Sequence, residues 1–220
     1  MSRGTSTETV STPSGDARLT WHPASRPRAV LALGHGAGGG IEARDLRALA
    51  GALPGHGVTV ALVEQPWRVA GNKVAPAPGT LDTAWTALWP RLAAAGPPVV
   101  AGGRSAGARV ACRTAAGLGA LAVLALAFPL HPPGKPGKSR AEELTGAAAE
   151  LPVLVLQGER DPFGRPGEFP PGVPLTAVPG GDHGFAVPKR PKEGALSEEA
   201  ALAVLTDAAA DWITGLPGAG

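Results

Sequence analysis

Short, unbroken runs of valine, leucine and alanine alternate along this chain with longer stretches of helical periodicity. Residues 17–21 form a plausible first strand, and the runs cover residues 28–33, 58–63, 99–101, 121–126, 151–157 and 173–178. They lack the polar alternation of a half-exposed strand, so they indicate a mostly parallel sheet with helices on both faces. This order of elements predicts a three-layer α/β fold with about seven strands.

Helical spacing of apolar residues marks four segments between the runs. They cover residues 46–53, 80–95, 105–116 and 197–213, with Ser197 as the N-cap of the last. Two loops, residues 65–79 and 128–140, follow strands directly. Open sheets bind ligands at the carboxyl ends of their strands, so both loops are expected to border a site.

The length and composition favour one globular domain. Of 220 residues, 32 are glycine and 24 are proline, which approaches a low-complexity composition. Hydrophobic residues nevertheless make up 44% and charged residues only 17%, which excludes a disordered chain. We predict a flexible arm over residues 1–14 and a single domain over residues 15–220.

Charge and cysteine content exclude several classes of protein. A net charge of +2 without a basic stripe argues against a nucleic-acid binder. The single cysteine excludes a disulfide framework, and the five histidines lack the spacing of metal ligands. We therefore expect neither a metal site nor a cofactor. No signal peptide or membrane span is visible, so a cytoplasmic protein is expected. The composition is typical of a bacterial protein, and it does not distinguish a monomer from a homodimer.

The segment Gly103-Arg104-Ser105-Ala106-Gly107 lies between a predicted strand and a predicted helix. In a nucleophile elbow the serine sits on a sharp turn, and its neighbours two residues away must be very small. The two flanking glycines meet that requirement. Ser105 is therefore the candidate nucleophile, with the amino end of the helix beneath it.

A serine nucleophile needs a base and an acidic residue that orients the base. Asp161 follows the strand-like run 151–157, and His183 follows the run 173–178, in the order this architecture uses. Asp182 is the rival acid, but adjacent residues rarely turn their side chains towards each other. We therefore predict that Asp161 orients His183 and that Asp182 braces the loop.

A glycine-rich loop, Gly34 to Gly40, follows an early strand and is the place for an oxyanion hole. We assign the two donors to the backbone N–H groups of Ala37 and Ala106. Candidate substrate-pocket residues lie near these strand ends: His35, Gly36, Gln65, Trp67, Arg104 and His131. Trp67 fits either an acyl pocket or a cap over the core.

The segments HGAGG, GGRSAG, LQGERDPFG and GGDHGF resemble those of the α/β-hydrolase fold over residues 17–216. More narrowly, they are similar to the small, lidless dienelactone-hydrolase-like branch. They also resemble a bacterial group related to the hydrolase-like domain of a subunit of animal histone-acetyltransferase complexes. The resemblance implies a triad of Ser105, Asp161 and His183. Dienelactone hydrolases use a cysteine nucleophile, however, and the short chain predicts one N-terminal strand instead of a hairpin.

These observations predict a serine hydrolase that cleaves an ester or other acyl bond of a small molecule. With no cap domain, its pocket should be shallow. Two alternatives remain: a scaffold module of the same fold with little turnover, and an acyltransferase that uses the same triad with an alcohol acceptor. Cationic residues of the two loops could attract an anionic substrate or merely be solvated: Arg68, Lys73, Lys135, Lys138 and Arg140. Cys112 is expected to be a packing residue.

Overall fold

A computed structural model describes residues 4–188 and 195–219. The strands are β1 Ser6–Thr12, β2 Gly15–His22, β3 Ala29–Gly34, β4 Val58–Glu64, β5 Val99–Arg104, β6 Ala122–Leu126, β7 Val153–Gly158 and β8 Leu175–Val178. The helices are α1 Arg44–Ala52, α2 Pro66–Val69, α3 Pro78–Ala93, α4 Ala106–Thr114, α5 Ala141–Glu150 and α6 Glu198–Thr214. The predicted alternation of strands and helices is therefore confirmed.

In the described residues the strands form one eight-stranded sheet in the order β1-β2-β4-β3-β5-β6-β7-β8. The first two strands pair antiparallel, β2 also pairs antiparallel with β4, and all other pairs are parallel. The chain leaves β3 for β4 on one side and then crosses to β5 on the other. This reversal opens a crevice beyond the carboxyl ends of β3 and β5, where open α/β sheets bind ligands.

Apolar side chains on the two faces of the sheet form separate cores. Successive residues of β3 alternate between them, with Val30 and Ala32 in one and Leu31 and Leu33 in the other. Helices α3, α4 and α5 cover the first face, and helices α1 and α6 cover the second. Burial on both faces explains why these strands are continuous apolar runs.

The amino-terminal segment differs from the prediction. The sequence predicts a flexible arm over residues 1–14 and one N-terminal strand, but Ser6–Thr12 forms β1 and pairs with β2 as a hairpin. The segment is rich in β-branched threonine and valine, which favour strands. Gly15 adopts φ 107° where β2 begins, a conformation that suits glycine. Residues 1–3 of the predicted arm lie outside the described residues.

Candidate active site

The turn between β5 and α4 has the geometry of a nucleophile elbow. Ser105 adopts φ 54° and ψ −110°, a strained combination for a residue with a side chain, and its N–H donates to the Leu126 carbonyl at 2.9 Å. A Cβ on Gly103 would lie 2.6 Å from a backbone carbon of Gly107, and one on Gly107 would lie 2.5 Å from the Gly34 oxygen. Only glycine fits either flanking position.

Three side chains from different strand ends form a continuous hydrogen-bonded chain. The Ser105 Oγ lies 3.0 Å from His183 Nε2, and the His183 Nδ1 lies 2.8 Å from Asp161 Oδ2. The carboxylate accepts the Nδ1 proton, which leaves Nε2 free to accept the hydroxyl proton of the serine. This is the arrangement in which an imidazole serves as a base towards an alcohol.

The Asp161 carboxylate is completely buried after β7 and has further donors. The Phe163 N–H donates to Oδ1 at 2.8 Å, and the Gln157 amide donates to Oδ2 at 2.9 Å. The same amide nitrogen lies 2.8 Å from the Gly164 carbonyl, which holds its orientation. Gln157 lies within the segment LQGERDPFG, but nothing in that segment marks a glutamine at the end of a strand as a partner of the carboxylate.

The loop that carries His183 is braced from within. Asp182 Oδ1 accepts the backbone N–H of Gly184 at 2.7 Å and that of Ala186 at 2.9 Å. The imidazole also packs against the Phe163 ring, with their centres 4.2 Å apart. Asp161, not Asp182, therefore contacts the imidazole, and Asp182 holds the loop.

The glycine-rich loop after β3 lies against the elbow. A Cβ on Gly36 would be 3.3 Å from the Cβ of Ser105. His35 fixes the loop from below: its Nε2 accepts the Gln65 N–H at 3.1 Å, and its Nδ1 donates to the Gly36 carbonyl at 2.9 Å. Burial lowers the pKa of His35, which keeps its ring neutral and structural.

A family model described as "Alpha/beta hydrolase domain" matches residues 27–214. This chain belongs to the α/β-hydrolase family. The predicted fold and family are thereby confirmed, and so is the expectation of a hydrolase. No curated protein sequence is similar enough to count as a match.

Solved structures similar to this α/β hydrolase span almost its whole length. A serine hydrolase without a lid from Xanthomonas campestris has a TM-score of 0.72 and 18% identity, covering 99% of both chains. A dienelactone hydrolase from Anabaena variabilis has a TM-score of 0.72 and 16% identity, covering 98% of this chain and 99% of its own. A serine hydrolase homologue from Coxiella burnetii has a TM-score of 0.73 and 14% identity, covering 97% and 98%. At these identities the likeness establishes the fold.

A small cavity of the hydrolase lies beside the elbow. Ala37 and Ala106 line it together with apolar side chains of α3 and α4, and Trp67 forms another wall. The cavity has space for roughly one water molecule. Trp67 is almost buried, with its ring centre 5.5 Å from that of His35. Trp67 thus lines the cavity and also packs in the core on that face of the sheet.

Two other residues that were predicted to line the pocket form hydrogen bonds with other residues of the hydrolase. His131 Nε2 lies 2.8 Å from a Glu168 carboxylate oxygen, and its Nδ1 lies 2.9 Å from the Pro132 carbonyl. These two acceptors raise the pKa of His131 and favour its charged form. Arg104 donates from Nη2 to the His183 carbonyl at 2.9 Å. Neither side chain is among those that line the small cavity.

The cationic loop residues include two with protein partners. Arg68 pairs with Glu42 at 3.3 Å, and Arg140 donates to the Pro129 carbonyl at 2.9 Å. Over the described ranges, 4–188 and 195–219, the histidine, cysteine and acidic side chains form no group of three suited to a metal ion. Within the same ranges, no helix combines the length and apolarity needed to cross a bilayer.

Proposed function

We propose that this α/β hydrolase cleaves carboxylic esters through an acyl-enzyme, with Ser105 as nucleophile, His183 as general base and acid, and Asp161 as the residue that orients the imidazole. The observation that carries the proposal is the chain of hydrogen bonds from the Ser105 hydroxyl through His183 to a buried carboxylate, at 3.0 and 2.8 Å. A lone serine hydroxyl is a weak nucleophile, and an adjacent oriented base removes that limitation.

In the first half of the reaction, Ser105 Oγ bonds to the ester carbonyl carbon while its proton passes to His183 Nε2. The negative charge that develops on the carbonyl oxygen is held by the backbone N–H groups of Ala37 and Ala106. Within the described part of the chain, neither N–H donates to a carbonyl oxygen in a turn or cap, which supports this assignment. The tetrahedral adduct then breaks its bond to the alcohol, which leaves with the proton from Nε2.

In the second half, water attacks the acyl carbon and gives one proton to His183 Nε2. The carboxylic acid departs as the bond to Ser105 Oγ breaks, and the proton returns to the serine. Atoms balance as ester plus water to acid plus alcohol. The buried Asp161 stabilises the imidazolium that forms in each half without itself taking a proton.

The small cavity favours esters of short acids. It borders both proposed oxyanion donors, so the acyl group of a bound ester would enter it, and it has room for about one heavy atom beyond the carbonyl. Alcohol groups would face the open side of the site. We therefore expect acetyl esters to be the best acyl donors.

The test is steady-state hydrolysis of p-nitrophenyl esters from acetate to octanoate, by wild type and by Ser105→Ala. We expect wild type to prefer the short esters and the variant to lose activity by at least about a thousandfold. Added alcohols, with product analysis, separate hydrolysis from acyl transfer. A folded wild type that cleaves no ester faster than Ser105→Ala contradicts the proposal and favours a scaffold role.

A further inference from the structure

A completely buried carboxylate lies close to the proposed active site and has no role in the reaction described above. Asp45, in the first turn of α1, has no solvent exposure. Neither of its carboxylate oxygens has a well-aligned hydrogen-bond donor among the described residues. Its ion-pair partner is Arg104, whose Nε lies 3.4 Å from Oδ2. Burial raises the pKa of Asp45, and the Arg104 charge opposes that rise.

Burying this charge costs stability, because the carboxylate loses its hydration, and the Arg104 charge and the nearby backbone N–H groups of Asp45 and Leu46 offset only part of that loss, so its pKa remains raised. Apolar residues occupy the neighbouring buried positions of α1, Leu46 and Leu49, as packing alone requires. Packing therefore does not account for an aspartate at position 45. We look for its role in the contact between its carboxylate and Arg104.

Arg104 lies inside the elbow, directly before Ser105, and its side chain is only 15% exposed. Its Nη2 donates to the backbone carbonyl of His183 at 2.9 Å. Its Nη1 lies 3.2 Å from where a Cβ on Gly36 would be. The guanidinium thus fills the space between the elbow, the histidine loop and the oxyanion loop.

We propose that Asp45 and Arg104 are positioning residues that hold the His183 loop in register with Ser105. Asp45 fixes the guanidinium by charge, and Arg104 presents Nη2 to the His183 carbonyl. The hydrogen bonds of Asp182 stay within the loop, whereas the bond of Arg104 crosses from the loop to the elbow. A planar guanidinium suits this task, because it reaches two partners in fixed directions.

The role follows from the sensitivity of proton transfer to distance. A shift of about 1 Å in a reacting group lowers the rate by roughly a hundredfold, even when substrate still binds. Loss of the Arg104 contact should therefore lower kcat and leave KM nearly unchanged. This kinetic part of the inference rests on the proposed ester hydrolysis, while the structural part does not.

The experiment compares Arg104→Met, Arg104→Lys and the double variant Asp45→Leu with Arg104→Met. We expect kcat for p-nitrophenyl acetate to fall roughly 10- to 100-fold in Arg104→Met, with KM within about twofold of wild type. Arg104→Lys should recover part of the loss. The double variant removes both buried charges, so its free energy of unfolding should be close to that of wild type, while its kcat should stay low.

The matched control is Arg109→Met on α4, which removes the 2.6 Å ion pair between the Arg109 and Glu143 side chains but leaves the backbone bond from the Arg109 N–H to the Ser105 carbonyl in place. This variant should retain both wild-type kinetic constants. A double variant that is as stable as wild type and has the wild-type kcat would overturn the inference.

Hydrogen exchange at backbone amides tests the positioning role independently of the proposed ester hydrolysis. The amides of Gly184 and Ala186 are bonded within the loop, so Arg104→Met should speed their exchange while Arg109→Met does not. If wild type hydrolyses no ester, the proposed function fails, but this local change still supports positioning. If exchange at both amides is the same in all variants, the inference fails.

Discussion

Replacing Ser105 by glycine should stabilise the protein relative to replacing it by alanine, although both changes remove the nucleophile. The backbone at Ser105 has φ 54° and ψ −110°, a region that glycine enters at little cost and residues with a Cβ rarely enter. Stability is thus given up at the residue on which the proposed chemistry depends. The comparison with alanine isolates this effect, because both variants lose the 3.0 Å contact with His183.

The magnitude follows from two opposing contributions. Holding a residue with a Cβ in such a conformation costs about 1–3 kcal/mol. Glycine loses more conformational entropy on folding, which takes back about 0.5–1 kcal/mol. From the midpoints of these contributions we expect the free energy of unfolding of Ser105→Gly to exceed that of Ser105→Ala by about 1.3 kcal/mol, and by no more than about 2.5 kcal/mol. For a chain of 220 residues, each kcal/mol corresponds to roughly 2–4 °C in Tm.

Urea unfolding followed by tryptophan fluorescence and by circular dichroism measures the difference, provided that the two probes coincide and the m-values agree. The backbone of both variants should keep the wild-type circular dichroism spectrum. A Ser105→Gly protein that is no more stable than Ser105→Ala would show that the elbow is not strained, and the account of the turn would then be wrong.

Four further predictions concern other parts of the site. Gly107→Ala places a Cβ 2.5 Å from a backbone oxygen, so it should lower the free energy of unfolding in urea by about 1–3 kcal/mol or more. The control Gly51→Ala has open space around its Cβ in α1 and should leave that free energy unchanged or raise it by up to about 1 kcal/mol. Equal stabilities of the two variants would refute the close packing at the elbow. Burial raises the pKa of the Cys112 thiol to about 12, so at pH 8 iodoacetamide should label the protein only in urea, and rapid labelling of folded protein would contradict its burial. Asp161→Asn should lower kcat by up to about 10⁴-fold in the ester assay, and a loss under tenfold would remove its orienting role. Trp67→Leu should enlarge the small cavity and raise the ratio of the kcat/KM values for p-nitrophenyl hexanoate and acetate by about fourfold for each additional methylene that fits. An unchanged ratio would show that Trp67 does not form a wall of the acyl pocket.

The sheet and the order of the reacting residues could be predicted because they depend on local sequence. Buried parallel strands must be continuously apolar, so their runs stand out even among many glycines. The glycines at 103 and 107 flank a turn in which any Cβ would meet backbone atoms within 3 Å. Ser197 caps α6 as predicted, since its side chain accepts the Ala200 N–H.

The remaining features have weak local signals or depend on contacts with other segments. Strand β1 has no buried residue, so its sequence lacks the apolar signal of the central strands, and its β-branched residues form a strand by pairing with β2. Helix α5 buries just Leu144 and Ala147, which is too weak a periodicity to predict. Arg104 was predicted for the substrate pocket, because nothing local connects it to Asp45, 59 residues earlier in the chain.

Covalent labelling by a fluorophosphonate tests the central claim most directly, since it requires both an activated serine and an oxyanion hole but no knowledge of the substrate. Intact-mass analysis of wild type should show one adduct, and peptide mapping should place it on Ser105. Ser105→Ala should stay unlabelled, and Asp161→Asn should react far more slowly. A folded wild type that takes no label, or takes it at another residue, would contradict the assignment of Ser105 as the nucleophile.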